Sequence, residues 1–339
     1  MSSVHDVADQ MRAALPDDPP TRLELDGKRH YFGRKKKSWY RLREERTRGG
    51  TFIVLGHFGN FKLGLFERVD VDWRGISDAE REDLKAKAEA AAAAEAAMRR
   101  REAEEAALSA AQLWRRGQPQ GSSAYLARKG VEGEACRYMA DGSILVPLLR
   151  YDWPREQALR GLQRIYGGPR KDWRTGEPLP EKTFTRRFDP VGCACRLGRV
   201  EGDEVILVVE GYATGLTVRQ ATGRRHAVFV ALNAGNLAAV VDVIRRLHPL
   251  SPIVICADDD WRTRDHTGKL DNVGRRKAQA AARTVDLCVV VFPSFGPNRR
   301  PGDTDFNDLQ QVAGIEAVAR QLARVVAYAA EIGRGVRAA

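Results

Sequence analysis

Residues 205–232 read VILVVEGYATGLTVRQATGRRHAVFVAL, and residues 253–260 read IVICADDD. In each stretch an apolar, β-branched run stops on acid, first at Glu210 and then at Asp258, Asp259 and Asp260. Runs without polar alternation are strands buried on both faces, the habit of a parallel sheet. Four such runs occur, at 205–209, 227–232, 253–257 and 287–292, with helical patterns over about 213–222, 236–247 and 274–285 between them. The alternation predicts an α/β layer with right-handed crossovers, closed by a helix over about 313–332.

The functional crevice of an open α/β sheet lies at the carboxyl ends of its strands. Two of the four runs end in acids there, and a third acidic stretch, PGDTDFNDL at 301–309, follows the last strand. In extended backbone Asp258 and Asp260 point to one side and Asp259 to the other, which leaves Asp259 for solvent or a helix cap. Crowded carboxylates repel unless a cation neutralises them. Hard Mg²⁺ takes few carboxylates and completes its shell with phosphate and water. One acidic strand end is ordinary helix capping. Three, with Gly211 directly after Glu210, point to a metal seat beside a phosphate, provided the strands of Glu210 and Asp258 are neighbours.

Outward from this layer the composition changes. Residues 1–20 read as a short helix and a turn. Residues 1–76 as a whole form a small basic β-rich module, with a hairpin expected at the DGK turn of 26–28. Residues 77–117 read as a long connecting helix rich in Ala, Glu, Lys and Arg, opened by a capping box at Ser77 and Glu80. Residues 118–200 are a basic α+β segment in which 142–152 and 158–168 pair as strands. Residues 201–339 hold the α/β domain.

The 339 residues carry 56 Lys and Arg against 45 Asp and Glu, a formal charge of +11, which favours a polyanionic partner such as nucleic acid. No apolar run reaches the ~18 residues that span a bilayer, and no signal peptide opens the chain. The five cysteines fit a reducing cytoplasm. Cys256 and Cys288 sit in apolar runs as core residues. CAC at 193–195 has the wrong spacing for zinc, so no zinc is expected. The chain has no G-x-x-x-x-G-K-[ST], so no fused helicase motor is expected.

The motifs VVEGYATG, ICADDD and DTDFNDL, in this order and with ALNAGNL and NVGRRKAQAAA between them, resemble the Toprim domain shared by bacterial-type primases, topoisomerases and some nucleases. EGYATGLTVRQATG and DFNDL look most like the Toprim DNA primases of phages, plasmids and integrative mobile elements. Upstream, AYLARKGV, GSILVPLL, LQRIYGG, EKTF and GCACRLG resemble the basic segment that precedes Toprim in those primases. The resemblance covers about residues 110–312 and is loose in the N-terminal module.

The resemblance implies a primase that makes short oligoribonucleotides on single-stranded DNA, with Mg²⁺ or Mn²⁺ as cofactor. A 3′-hydroxyl would attack the α-phosphorus of a nucleoside triphosphate, between two ions about 4 Å apart. Glu210 would be an acid–base residue or metal ligand, and Asp258 and Asp260 metal ligands, with Asp305 and Asp308 as further ones. Many primases carry an acid four positions after the glutamate. Here that position is Thr214, so no extra ligand is expected on that helix.

Arg128, Lys129, Arg150, Lys182 and Lys277 are candidate contacts to nucleotide or template. HYFGRKKKSWYRLREER, residues 30–46, interleaves Lys35, Lys36 and Lys37 with Trp39 and Tyr40, a pattern that suits single-stranded template. A separately encoded replicative helicase is the expected partner. A Toprim nuclease or a non-catalytic replication accessory are the competing readings. A topoisomerase would need a tyrosine nucleophile on further domains.

Overall fold

The four apolar runs become four parallel strands of one sheet. Its strands are β11 (Cys195–Leu197), β12 (Ile206–Val209), β13 (Val228–Val230), β14 (Ile253–Cys256) and β15 (Cys288–Val291), in the order β11-β13-β12-β14-β15. The fold expectation of a four-stranded sheet needs one correction, because β11 adds a fifth strand, antiparallel to β13. In the sequence CAC reads only as a cysteine pattern, and three residues are too few to show periodicity. Burial marks the strand: Cys195 and Leu197 point into the core and Arg196 points away. All five cysteines are free thiols.

Helices α4 (Tyr212–Ala221), α5 (Leu237–Leu247), α6 (Val273–Ala282), α7 (Phe306–Ala313) and α8 (Ile315–Ala338) cover the sheet. Two apolar cores result. Leu207, Val209, Val230 and Cys256 pack with α4, α7 and α8, while Val208, Phe229 and Ile255 pack with α5 and α6. The acidic stretch at 301–309 is in part α7, because D-x-x-D at Asp305 and Asp308 is a capping box. The chain then needs a left-handed residue to turn out of α7, and Gly314, at φ +80°, supplies it before α8 begins.

Gly215 sets how closely α4 approaches the sheet. A Cβ there would lie 2.7 Å from Val230 Cγ2 and 3.2 Å from Val209 Cγ2, both buried. Gly215→Ala therefore overpacks the core by about 1–3 kcal/mol, against roughly 1 kcal/mol regained in helix propensity. Urea unfolding is expected to show net destabilisation. An unchanged or higher midpoint would contradict this packing.

The structure is a computed structural model that describes residues 3–33, 36–47, 49–60, 63, 65–264 and 269–338. It divides into two units, Met1–Met98 with Arg264–Leu270 and Arg99–Thr263 with Asp271–Ala339. The second unit holds the five-stranded sheet and, ahead of it, an antiparallel sheet β10-β7-β6-β5. Its strands are β5 (Arg137–Tyr138), β6 (Ile144–Leu149), β7 (Leu159–Ile165) and β10 (Lys182–Phe184). The expected pairing of 142–152 with 158–168 is the β6–β7 ladder. A small ribbon of β8 (Arg170–Lys171) and β9 (Pro178–Leu179) and the short helix α3 (Ala124–Lys129) complete it.

The first unit is an antiparallel sheet, β1 (His30–Phe32), β2 (Ser38–Arg46), β3 (Phe52–Asn60) and β4 (Leu65–Arg68), with α1 (Val4–Ala14). Its core joins Val7 and Met11 of α1 to Tyr40, Leu42, Ile53 and Phe58. DGK is a turn, with Gly27 at φ +73° and the Lys28 amide donating to Asp26 Oδ1 at 2.9 Å, but it precedes the sheet and is not the hairpin connection. The long helix is α2 (Asp78–Arg116), and the Ser77–Glu80 capping box opens it. Among the described residues no helix is long and apolar enough to cross a membrane.

Candidate active site

β12 and β14 are neighbours, and the register pairs Val209 with Cys256. Parallel pairing in that register brings Glu210, one residue past β12, beside the strand end that carries Asp258. Two carboxylate oxygens there, Glu210 Oε1 and Asp258 Oδ1, are buried without a hydrogen-bond partner. Buried polar atoms are nearly always partnered, so two orphans on adjacent strand ends mark a place built for a ligand. Burial, then Asp260 and Asp305, push Glu210 up to about 7 against an opposing hydrogen bond from the Ala234 amide. Asp258 is pushed well above the usual carboxylate range by burial and then by Glu210, Asp305, Asp260 and Asp308.

The other acids spend part of their capacity on the fold. Asp260 Oδ2 accepts from the Gly274 amide at 2.9 Å, and the Asp260 amide donates to Asn272 Oδ1 at 2.9 Å. A Cβ at Gly274 would sit 2.6 Å from the Asp258 carbonyl, so only glycine lets α6 start this close. Asp305 caps α7: Oδ1 accepts from the Asp308 amide at 2.8 Å and Oδ2 from the Thr214 hydroxyl at 3.0 Å. Asp308 Oδ2 accepts from the Thr304 amide at 2.9 Å. Burial and Asp308 raise Asp305, partly offset by these hydrogen bonds and by Lys129.

Asp259 takes neither role that alternation left it, facing solvent or capping a helix, since Asn272 is the N-cap of α6. The Asp259 side chain is 9% exposed and ion-paired. Asn272 and Arg275 donate to Oδ1, Arg299 donates to Oδ2 at 2.7 Å, and Arg299 also reaches the Asp259 carbonyl at 2.8 Å. Burial pushes Asp259 up, but these hydrogen bonds outweigh it and hold the carboxyl below its ordinary value. The middle acid of the triplet thus ties the strand end to α6 and to the 299–304 loop.

Two of the expected cations act electrostatically on the acids. Lys182, on β10, keeps solvent contact, yet enough protein surrounds its ammonium to lower its pKa; Lys129 adds to that, while Glu181, Asp305 and Asp258 oppose it. Lys129 is fixed from behind, since Asn307 Nδ2 donates to its carbonyl at 2.8 Å and to Thr217 Oγ1 at 3.0 Å. Arg128 donates to the Gly167 carbonyl and pairs with Glu181, and both Arg128 and Lys182 lie over the buried Tyr125 ring.

The remaining expected contacts fall elsewhere. Arg150 is bound by Asp152 at 2.8 and 2.9 Å and donates to the Val191 carbonyl, so its charge is already answered. Lys277 is exposed on α6, with no side-chain ion pair or hydrogen bond among the described residues. Trp39 and Tyr40 are 4% and 2% exposed and pack in the first unit, so they are core aromatics and not free platforms for bases. Lys36 and Lys37 are exposed, and Lys35 lies outside the described residues.

The donor set fits a hard cation: two buried carboxylate oxygens are free, and the partnered oxygens of Asp260 and Asp305 keep a second lone pair each. Among the described residues no group of three His, Cys, Asp or Glu side chains is already drawn together as a ligand set.

The sequence profile of the Toprim domain matches residues 205–316. This part of the chain is a Toprim domain. The resemblance to Toprim-type bacterial primases of mobile elements holds in the curated relatives. Two proteins named DNA primase TraC, from Escherichia coli, are 36% identical over 119 residues and 35% identical over 127 residues. The matches take in 34% and 36% of this chain but 11% and 8% of those proteins, so the chain spans about a tenth of the length of these relatives. Among solved structures, the primase fragment of the bacteriophage T7 primase-helicase protein superposes with a TM-score of 0.41 at 14% identity, covering 60% of this chain and 74% of that one. The DnaG primase catalytic domain bound to ssDNA gives 0.39 at 15% identity, covering 67% and 82%.

Within the Toprim domain, sequence reasoning missed the residues that hold the acids and Lys129 in place: Asn272, Arg275, Arg299, Thr217 and Asn307. The signal for Asn307 was present in DFNDL, where only the acids were read. Thr214 departs from the acidic pattern but is not idle, because its hydroxyl holds Asp305.

Proposed function

We propose that the chain is the catalytic part of a DNA primase, joining ribonucleotides on a single-stranded DNA template by metal-dependent nucleotidyl transfer. The observation that carries this is the pair of buried, unpartnered oxygens of Glu210 and Asp258 on neighbouring strand ends, with the positive charge of Lys182 favoured by Asp305 and Asp258 and that of Lys129 lowering Asp305. Similarity to the proteins named DNA primase TraC supports the same reading.

Glu210, Asp258 and Asp260 would hold Mg²⁺ or Mn²⁺, with Asp305 and Asp308 closing the acidic rim. When bound, such an ion supplies charge neutralisation and Lewis acidity at phosphoryl oxygens. Lys129 and Lys182 place fixed positive charge where negative charge grows on a triphosphate, and this counts most at an enclosed site. Arg128 and Tyr125 set the position of Lys182. Asp259 acts through others: it keeps Asp258 and Asp260 aimed at the centre. The partners on this reading are single-stranded DNA, nucleoside triphosphates and a separately encoded helicase, in the cytoplasm.

Incubation with single-stranded template, labelled ribonucleotides and Mg²⁺ tests the proposal. New oligomers that depend on template are the expected product. Shortened template would make the domain a nuclease, and a mobility shift with no covalent product would make it a binding accessory. Either result overturns the primase reading.

A further inference from the structure

The first unit carries a charged cavity that the acidic centre does not use. Strand register sets Arg41 opposite His57, and His57 opposite Arg68, so two guanidiniums flank an imidazole across β2, β3 and β4. Arg43 follows on the same face, opposite Leu55. Like charges set side by side on a sheet destabilise it. α2 lays Ala88, Ala91 and Ala92 over the row, and side chains that small leave a cavity of about 150 Å³.

The charge is only partly answered from within. Arg41 pairs with Glu95 and donates to the Gly27 carbonyl. Arg43 stands 3.5 Å from Glu45. The Arg68 side chain makes no hydrogen bond or ion pair among the described residues. Burial, then Arg68, Arg41 and Arg43, hold the His57 imidazole below its usual pKa, as expected beside uncompensated positive charge.

Size and surroundings narrow the occupant. The cavity is smaller than the roughly 300–1,000 Å³ of pockets that enclose a drug-sized ligand, so it admits a single tetrahedral anion and not a whole nucleotide. An adjoining cavity of about 510 Å³ shares Leu55, Arg68 and Ala88 and continues to Trp73, Arg81 and Lys85, with Glu82 and Glu89 also in its lining. A strand with one phosphate in the small cavity has room for its next residue beside an aromatic ring. Guanidinium forks match phosphate oxygens two at a time.

We propose that the Arg41–His57–Arg68 row binds a backbone phosphate of a polynucleotide. The site is built from residues 27–92 and stands whether or not the acidic centre catalyses polymerisation, so it is tested by binding alone, without nucleotides or divalent ions.

The test is anisotropy of a labelled single-stranded oligonucleotide with the full chain over a salt series. Arg68 has no partner to lose, so Arg68→Gln leaves the fold intact. It is expected to weaken binding about fivefold near ~0.1 M salt and to reduce the slope of log K against log salt by about 0.7. Glu95→Gln frees Arg41 and is expected to tighten binding. Inorganic phosphate and a nucleoside triphosphate, at matched ionic strength, separate the sources of phosphate. Neither should displace the oligonucleotide when micromolar. Displacement by micromolar triphosphate that disappears in R68Q would assign the cavity to free nucleotides and overturn the proposal. So would an R68Q protein with the affinity and slope of the wild type.

Discussion

Replacing Asp258 and Asp260 together by alanine lowers template-dependent oligonucleotide synthesis by about 10³-fold or more, because it strips the metal seat from one of its two strands. The loss must be separated from unfolding, and Asp258→Asn does that. It keeps the shape of the side chain and removes a buried charge that has no partner on Oδ1 and is repelled by Glu210, Asp305, Asp260 and Asp308. D258N is therefore expected to be as inactive as the double variant when both are assayed with Mg²⁺, and in metal-free buffer near pH 8 to unfold at a higher temperature than the wild type. A variant that retains a tenth of the activity, or loses activity together with its unfolding midpoint, would mean that these acids serve the fold and not the chemistry.

Without a divalent cation the protein is expected to become more stable as pH falls from about 8 to about 5. Glu210 titrates near 7 in the folded chain, above its ordinary 4.5, because the folded state disfavours its charged form. Below the ordinary value both states are protonated and no penalty applies. Between the two values the unfolded chain ionises first, so stability falls as pH rises, and above 7 the penalty is complete. A gap of this size corresponds to ~3 kcal/mol at most, or roughly 6–10 °C in melting temperature for a unit this large. Mg²⁺ should abolish the slope by favouring the charged form, and Glu210→Gln should lessen it without metal, since buried Asp258 and Asp305 keep a share of their own. Differential scanning fluorimetry across pH checks this. A metal-free wild type whose melting temperature is flat or rises between pH 5 and 8 would contradict the strain at Glu210.

What could be read from the sequence follows from how local each signal is. The four apolar runs and their terminal acids were legible because a doubly buried strand shows itself within a few residues. The adjacency of β12 and β14 followed only conditionally, since strand order is not a local property. Asp259 was misread because its partners Asn272, Arg275 and Arg299 lie 13, 16 and 40 residues away. Arg150 is the opposite case. Asp152 stands two residues on, within reach of the guanidinium, and the pairing was open to reading in RYD. Trp39 and Tyr40 show that interleaved aromatics and bases do not by themselves separate a core from a binding face. Lys129 and Lys182, chosen from two separate segments, both act electrostatically on Asp305, and Asn307 of DFNDL holds the Lys129 carbonyl at the end of α3.

The claim on which the rest depends is that Glu210 and Asp258 together seat a divalent cation. Titration of the full chain with Mn²⁺, with free ion followed by electron paramagnetic resonance, tests it without any catalytic readout. The wild type should take up Mn²⁺, and a Glu210→Gln, Asp258→Asn double variant, folded by circular dichroism, should lose that uptake. Equal uptake by the two proteins, or none by the wild type, would contradict the account.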